Sequence, residues 1–400
     1  MSKINLAVFN TQPPHLYYGG VERRIIETAK RLTQQINTTV YSGTKSGFKK
    51  PISINHVNFV PGFSTDKLYP IDNWFFNNTI SGSAKKFKAD IYEAHTVSGY
   101  KLLKTFKKQK KKEPFIQTIH GVLADEYIKA TQRGSPTIQT KLANIVMWKL
   151  SKLEKQAAEK ADIIITISKY TQNKIIQLYE IEKEKIRIVP NGVDIQKFKP
   201  RKNLTRIKRQ IGINNRQCVL FVGRLIPRKG LSFLVQAAKH IIKEKEQTAF
   251  VIVGDGPQKN QLISYLEKNR IRKNFIFLGD IKDEILPLIY NCAEIFVFPS
   301  VQEGQGIALL EAQAASKPVI TFNTGGVRET ILNQETGFLV KPNNKELANA
   351  IIKLLKNEEM RNKMGKKGRE FVSKNFSWEK SAKKLLETYK EVNLIAKQKN

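Results

Sequence analysis

The stretch PSVQEGQGIALLEAQAASKPVI, residues 299–320, holds Glu303 and Glu311 with seven residues between them around a glycine turn. An ionised carboxylate only accepts hydrogen bonds, so such a pair at a helix entrance can accept from vicinal hydroxyls. Gly304, Gln305 and Gly306 make the turn permissive, and their backbone amides would point at a ligand held against the helix end. A plainer assignment fits too, with Glu303 as a helix-start acid matching the dipole and Glu311 as a surface residue. The spacing alone leaves both open.

Upstream, FVGRLIPRKG (221–230) ends a strand pattern at Gly223 and sets Arg224 and Lys229 about a proline turn before the next helix. Two cations beside a helix N-terminus make a strong diphosphate site. Gly254 and Gly256 in VGDGP form a Gly-x-Gly turn after another strand pattern, without the third glycine of a dinucleotide fingerprint. Gly19 and Gly20 open the helical pattern VERRIIETAKRL and could bring amides to a phosphate, although a plain strand–helix turn would look the same. No Gly-Lys-Ser/Thr follows, so this is not a P-loop. His120 in TIHG closes a strand pattern and is followed by glycine, which exposes it at the strand's carboxyl end. No Asp-x-Asp pair occurs anywhere, so no carboxylate cage and no metal are expected.

These residues need a scaffold, and the chain supplies a repeated one. Short Val/Ile/Phe-rich runs (INLAVFN, TTVYSG, ADIYEAH, PFIQTIH, ADIIITIS, KIRIVPN, then QCVLFVGR, TAFVIVGDG, NFIFLGD, AEIFVFPS, KPVITF, GFLVKP) alternate with amphipathic stretches such as LSFLVQAAKHII and KELANAIIKLLKN. Nearly continuous apolar runs mark parallel strands buried on both faces, and the alternation predicts an α/β fold. At 400 residues the chain suits two domains. The series breaks once, in NGVDIQKFKPRKNLTR (191–206), where Asn-Gly and Pro interrupt it. The expected division is residues 1–197, residues 198–375, and a terminal helix over 376–400 packing back on the first domain. Two doubly wound Rossmann-like domains facing a central cleft are the expected architecture, with ligands at the carboxyl ends of the strands.

The net charge is +34, with 33 Lys+Arg against 16 Asp+Glu in residues 1–200 and 36 against 19 in the remainder, or +17 in each half. So even a spread argues against a nucleic-acid groove. It leaves open a lysine-rich composition or a preference for anionic partners. Cys218 and Cys292 sit in apolar runs and are expected as buried thiols of a reducing compartment. The chain starts directly in a strand pattern and has no apolar run of the ~18–20 residues that span a bilayer. A cytoplasmic protein, at most peripheral to a membrane, is the expectation. KLLKTFKKQKKKE (101–113) puts Leu102, Leu103 and Phe106 on one helical face among lysines. That face suits either an anionic membrane surface or the protein's own core.

In order along the chain, YYGGVE, the His of TIHG, ADIIITIS, VPNGVD, GRLIPRKG, GDGP, PSxxEGxGxxLLEA and PVI…GGVRE resemble glycosyltransferase family 4 over about residues 4–340. The resemblance implies a GT-B fold and a retaining, metal-independent enzyme that takes a nucleotide-diphosphate sugar as co-substrate. It implies a glycan or lipid-linked acceptor and no cofactor. By motif, Arg224 and Lys229 would hold the donor diphosphate, with Gly19 and Gly20 near it and Gly223, Gly254 and Gly256 in the donor loops. Glu303 would meet the transferred sugar, helped by the amides of Gly304, Gln305 and Gly306. Glu311 would bind the ribose, and His120 would face the sugar from the first domain. Two positions depart from the pattern. Gln305 stands where an aromatic or aliphatic residue is frequent, which puts sugar preference in doubt, and Ser316 replaces a common glycine. The acceptor-reading loops, such as 61–80 and 121–140, carry no transferable signal. A glycosidase pair is disfavoured by the neighbouring diphosphate motif. A nucleotide-sugar epimerase and a basic anion-binding protein remain as alternatives.

Overall fold

The computed structural model describes residues 3–17, 19–44, 47–64, 71–132 and 138–398. The chain forms two compact units, Met1–Asn191 with Trp378–Asn400, and Gly192–Ser377. Of the loops expected to read an acceptor, residues 65–70 and 133–137 lie outside the described residues, while Ile71–Gly82 and Leu123–Gln132 are helical.

The first unit is built on an eight-stranded sheet. Its strands are β1 (Ile4–Asn10), β2 (Ile36–Gly43), β3 (Ile52–Ile54), β4 (Val57–Gly62), β5 (Ile91–His95), β6 (Phe115–Ile119), β7 (Ile163–Thr166) and β8 (Ile186–Ile188). The order is β3-β4-β2-β1-β5-β6-β7-β8, parallel except for the β3–β4 pair. Every residue of β5, β6 and β7 is buried, as helices on both faces of a parallel sheet require. Sequence order reverses around β1, between β2 and β5, and opens a crevice at the strands' carboxyl ends.

The helix Gly20–Leu32 turns Ile25, Ala29 and Leu32 onto Leu6 and Val8 of β1. The last helix, Trp378–Gln398, joins the same core through Ala382, Leu385, Tyr389 and Val392. Polar contacts tie that helix down besides the apolar ones: Ser381 Oγ donates to the Pro190 carbonyl, Arg187 pairs with Glu391 at 2.5 Å, Arg31 pairs with Glu379 at 2.8 Å, and the Tyr389 hydroxyl donates to Glu93.

Of the two roles left open for the apolar face of residues 101–113, the structure shows the packing on the protein's own core. Helix Tyr100–Lys108 buries Leu102, Leu103 and Phe106 against Phe115, Ala157 and Ala161. Lys111 folds back over the Tyr92 and Phe106 rings, with its ammonium donating to the Phe87 carbonyl. Three apolar residues among lysines are a core stripe here, so no apolar face remains to insert. Among the described residues no helix is long and apolar enough to cross a membrane.

The second unit carries six parallel strands, β9 (Gln217–Val222), β10 (Thr248–Val253), β11 (Phe275–Gly279), β12 (Ile295–Phe298), β13 (Val319–Phe322) and β14 (Gly337–Val340). Their order, β11-β10-β9-β12-β13-β14, reverses between β9 and β12. Apolar clusters fill both faces of the sheet. Cys218 and Cys292 are free and buried in one of them, and burial pushes both thiols up.

Ser316 marks a local strain. The helix Ile307–Ala314 closes with Lys317 N–H donating to the Ala312 carbonyl and Ser316 N–H to that of Gln313, each at 2.9 Å. That is a Schellman closure, and it holds Ser316 at φ +56°, a conformation that glycine adopts without penalty. Ser316→Gly removes a left-handed cost of about 1–2 kcal/mol and adds glycine's entropic cost of about 0.5–1 kcal/mol, so a higher denaturant midpoint of the second unit is expected; an unchanged midpoint would show the strain to be relieved elsewhere.

Candidate functional site

The reversal between β9 and β12 brings two loops together at the carboxyl edge of the second sheet: Gly223–Gly230 after β9, and Pro299–Gly306 after β12. Backbone contact fixes their spacing. A Cβ on Gly230, which has φ +67°, would lie 1.9 Å from the Pro299 carbonyl oxygen. The Val301 N–H donates to the Arg228 carbonyl at 2.9 Å, and Ser300 Oγ donates to the same oxygen at 2.9 Å. From the other side, the loop after β10 packs on the first of these loops. A Cβ on Gly254 would stand 2.3 Å from the Gly223 oxygen, and one on Gly256 would stand 2.6 Å from the Leu225 oxygen. Gly223, Gly254 and Gly256 thus act through close approach of backbones, which holds the basic loop in place.

On this frame, Lys229 and Glu303 form an ion pair at 2.5 Å, with Arg228 at 3.6 Å from the same carboxylate oxygen. Both side chains of the pair are only 15% exposed, and the Lys229 ammonium also lies 4.7 Å from the Phe298 ring centre. Burial by itself would raise the Glu303 carboxyl, but Lys229 and then Arg228 outweigh it and hold the group below its ordinary value. Gly325 and Gly326 back the acid from below: the Gly326 N–H donates to the Glu303 carbonyl at 2.9 Å. Arg224 stands exposed at the start of the basic loop.

Glu311 lies in the second turn of its helix and is buried, accepting a hydrogen bond from the Tyr290 hydroxyl at 2.8 Å. It is therefore neither a loose surface acid nor a dipole partner. Gln305, in the turn between Glu303 and the helix, is buried at 1% exposure.

Arg224, Lys229, Glu303, Glu311 and the loop glycines thus gather in the second unit. His120, Gly19 and Gly20 belong to the first. His120 follows β6 directly, and its Nε2 lies 2.9 Å from Nδ1 of His95. Gly19 and Gly20 are exposed at the start of the Gly20–Leu32 helix, where the Glu22 carboxylate leans over Gly19. Arg228, Tyr290 and His95 were not singled out from sequence. Arg228 had a signal, its place beside Lys229; the other two meet their partners only through the fold.

Two family models divide the chain. Glycosyl transferases group 1 matches residues 204–371, and Glycosyltransferase Family 4 matches residues 18–197. An Escherichia coli protein, UDP-Gal:alpha-D-GlcNAc-diphosphoundecaprenol alpha-1,3-galactosyltransferase, is 30% identical over 280 residues, 68% of each chain. This chain belongs to glycosyltransferase family 4. Among solved structures, the sucrose-phosphate synthase of Thermosynechococcus elongatus matches with a TM-score of 0.83 at 22% identity, over 98% of this chain and 99% of that one. HepE of Anabaena, solved with UDP-glucose, matches with a TM-score of 0.77 at 20% identity, over 97% and 100%. The glycosyltransferase has the GT-B fold of two Rossmann-like parallel-sheet units, and it is a transferase of glycoconjugate biosynthesis.

The ion pair of this glycosyltransferase predicts a pH dependence. The folded Glu303 lies below the unfolded value of 4.5, so its stabilisation is complete above that value and is lost as pH falls through the folded one. The stability gap between wild type and Glu303→Gln should be widest near neutrality and should close on acidification. Denaturant midpoints at neutral and acidic pH measure it, and a constant gap would mean that the pair contributes nothing.

Proposed function

We propose that the glycosyltransferase moves a hexose-type sugar from a nucleotide-diphosphate sugar to a glycan or lipid-linked acceptor, with retention and without a metal. The observation that carries this is the Lys229–Glu303 pair at the β9/β12 reversal, flanked by Arg228 and Arg224. A cation for phosphate and an acid for hydroxyls stand side by side on rigid loops.

Breaking a glycosyl–phosphate bond builds positive charge at the anomeric carbon and negative charge on the departing diphosphate. Fixed cations and the start of the helix Leu231–Glu244 supply the charge that a metal would otherwise bring. On donor binding, Lys229 turns from the carboxylate to the phosphates, which releases Glu303 to accept from the sugar hydroxyls. Glu311, held by Tyr290, takes the ribose. The leaving phosphate assists deprotonation of the acceptor hydroxyl, which attacks on the face from which the phosphate departs. His120 is assigned by motif to binding the sugar. The named activity of the Escherichia coli relative, galactosyl transfer from UDP-Gal to a lipid-linked diphosphate, supports the donor and acceptor classes.

A screen of UDP-, GDP- and ADP-sugars by thermal shift, with hydrolysis followed alongside, identifies the donor. With that donor, Arg224→Ala is expected to lower kcat/KM by about 10²–10³ with the thermal midpoint unchanged, and a chelator should leave the wild-type rate intact. Normal turnover of the variant would sink the assignment, and loss of activity in chelator would sink its metal independence. Appearance of an epimerised sugar without acceptor, as distinct from hydrolysis, would favour the epimerase alternative.

A further inference from the structure

The first unit contains a chain of polar groups that the loops of the second do not explain. Glu93 and His95 are two residues apart on β5 and share a face of the sheet, as do Thr118 and His120 on and after β6. His95 stands directly across from Thr118 in the β5–β6 register. Above this face lie Arg24 of the helix Gly20–Leu32 and Tyr389 of the helix Trp378–Gln398. Glu93, His95, Arg24, Thr118 and Tyr389 are all buried.

The Glu93 carboxylate accepts from Thr118 Oγ1 at 2.6 Å on one oxygen and from the Tyr389 hydroxyl on the other. The first of these oxygens also lies 3.4 Å from His95 Nε2. The other nitrogen of that ring, Nδ1, is 2.9 Å from His120 Nε2, and the two imidazoles stack at 25° with centres 5.2 Å apart. We propose that Glu93, acting through His95, holds His120 as its Nε2–H tautomer, so that Nδ1 is the acceptor His120 presents at the end of β6.

The reasoning is one of proton counting. Two neutral imidazoles joined by one hydrogen bond have two correlated tautomeric arrangements, and whichever ring donates fixes the other. If His95 donated from Nδ1, its Nε2 lone pair would face the Glu93 carboxylate. With the proton on Nε2, that edge turns positive charge toward the carboxylate, Nδ1 becomes the acceptor, and His120 must donate from Nε2. Both rings stay neutral. Burial depresses His95 to about 4 against the opposing pull of Glu93. Burial, His95 and Arg24 together hold His120 well below its usual value. Arg24 donates to the Val189 carbonyl at 2.8 Å and to Asn191 Oδ1 at 3.1 Å, which anchors a countercharge to Glu93 in the same interior.

The inference deepens the transferase reading, on which it rests for what Nδ1 meets: a sugar hydroxyl that donates to it. His95 and Glu93 are positioning residues in this scheme, and the tautomer itself can be read without any donor. The test is a two-bond ¹H–¹⁵N spectrum of the full chain labelled with ¹⁵N-histidine at neutral pH, in which only five histidines appear. His120 is assigned by its loss in His120→Gln. A single Nε2–H tautomer at both His95 and His120 is expected, and Nδ1 protonation of His120 in the wild type overturns the proposal.

Two variants extend the test. His95→Asn keeps an amide oxygen near the place of Nδ1 and should preserve the His120 tautomer and turnover of the screened donor. His95→Leu should give mixed His120 tautomers and a kcat lower by ~10–100-fold at little-changed donor KM, by analogy with the orienting partners of metal-bound histidines. A pure Nε2–H signal in His95→Leu would also overturn it. Should no UDP-, GDP- or ADP-sugar be turned over, the proposed donor class fails while the spectra still decide the tautomer.

Discussion

The salt bridge between Lys229 and Glu303 ties the chemistry of the second unit to its topology. It exists because parallel strands β9 and β12 are neighbours although far apart in sequence, so their following loops emerge at one edge. Gly230, Gly254, Gly256 and Gly325 around it make room for backbone, and the bonds from Val301 N–H and Ser300 Oγ to the Arg228 carbonyl hold the same spacing. A buried pair of this kind gives little net stability, since desolvation offsets the attraction. What it provides is two opposite charges, each held at a defined place on its loop.

Much of this was legible in the sequence because parallel strands covered by helices read as unbroken apolar runs. QCVLFVGR, TAFVIVGDG and AEIFVFPS became β9, β10 and β12, and the chemistry-bearing residues follow them directly. The outer strands of the first sheet did not stand out. ISI is only three residues and exposed, and VNFVPG carries a proline that reads as a break, yet proline is tolerated near a sheet edge. Residues 101–113 show the limit of periodicity. An apolar stripe states that Leu102, Leu103 and Phe106 face something, and only the fold says that it is the protein's own core. Gln305 shows the complementary limit: a glycine turn is visible in sequence, but the direction of the side chain it carries is not. His95, Glu93 and Tyr389 had no local signal at all, because their meaning lies in pairing across strands and with a helix nearly three hundred residues away.

The even excess of positive charge takes a different meaning beside these sites. With +34 overall, the acids that are kept are well placed: Glu303 against two cations, Glu311 under a tyrosine, Glu93 beneath two hydroxyls. Against such a background, an acid buried with designated partners is a costly placement. The lysine excess sets a positive field around the molecule, against which Glu303, Glu311 and Glu93 are each held by designated partners.

The return of the chain to its first unit has a consequence for how the protein is made. The helix Trp378–Gln398 supplies Leu385, Tyr389 and Val392 to a core whose other members were synthesised some two hundred residues or more earlier. During translation the second unit can complete itself as soon as Ser377 leaves the ribosome, while the first waits with an open apolar flank and an unfilled place beside Glu93. Folding order is thereby inverted relative to sequence order. The nascent chain carries its sticky surface until the last helix arrives, and a ribosome that stalls late releases a protein with a finished second unit and an incomplete first.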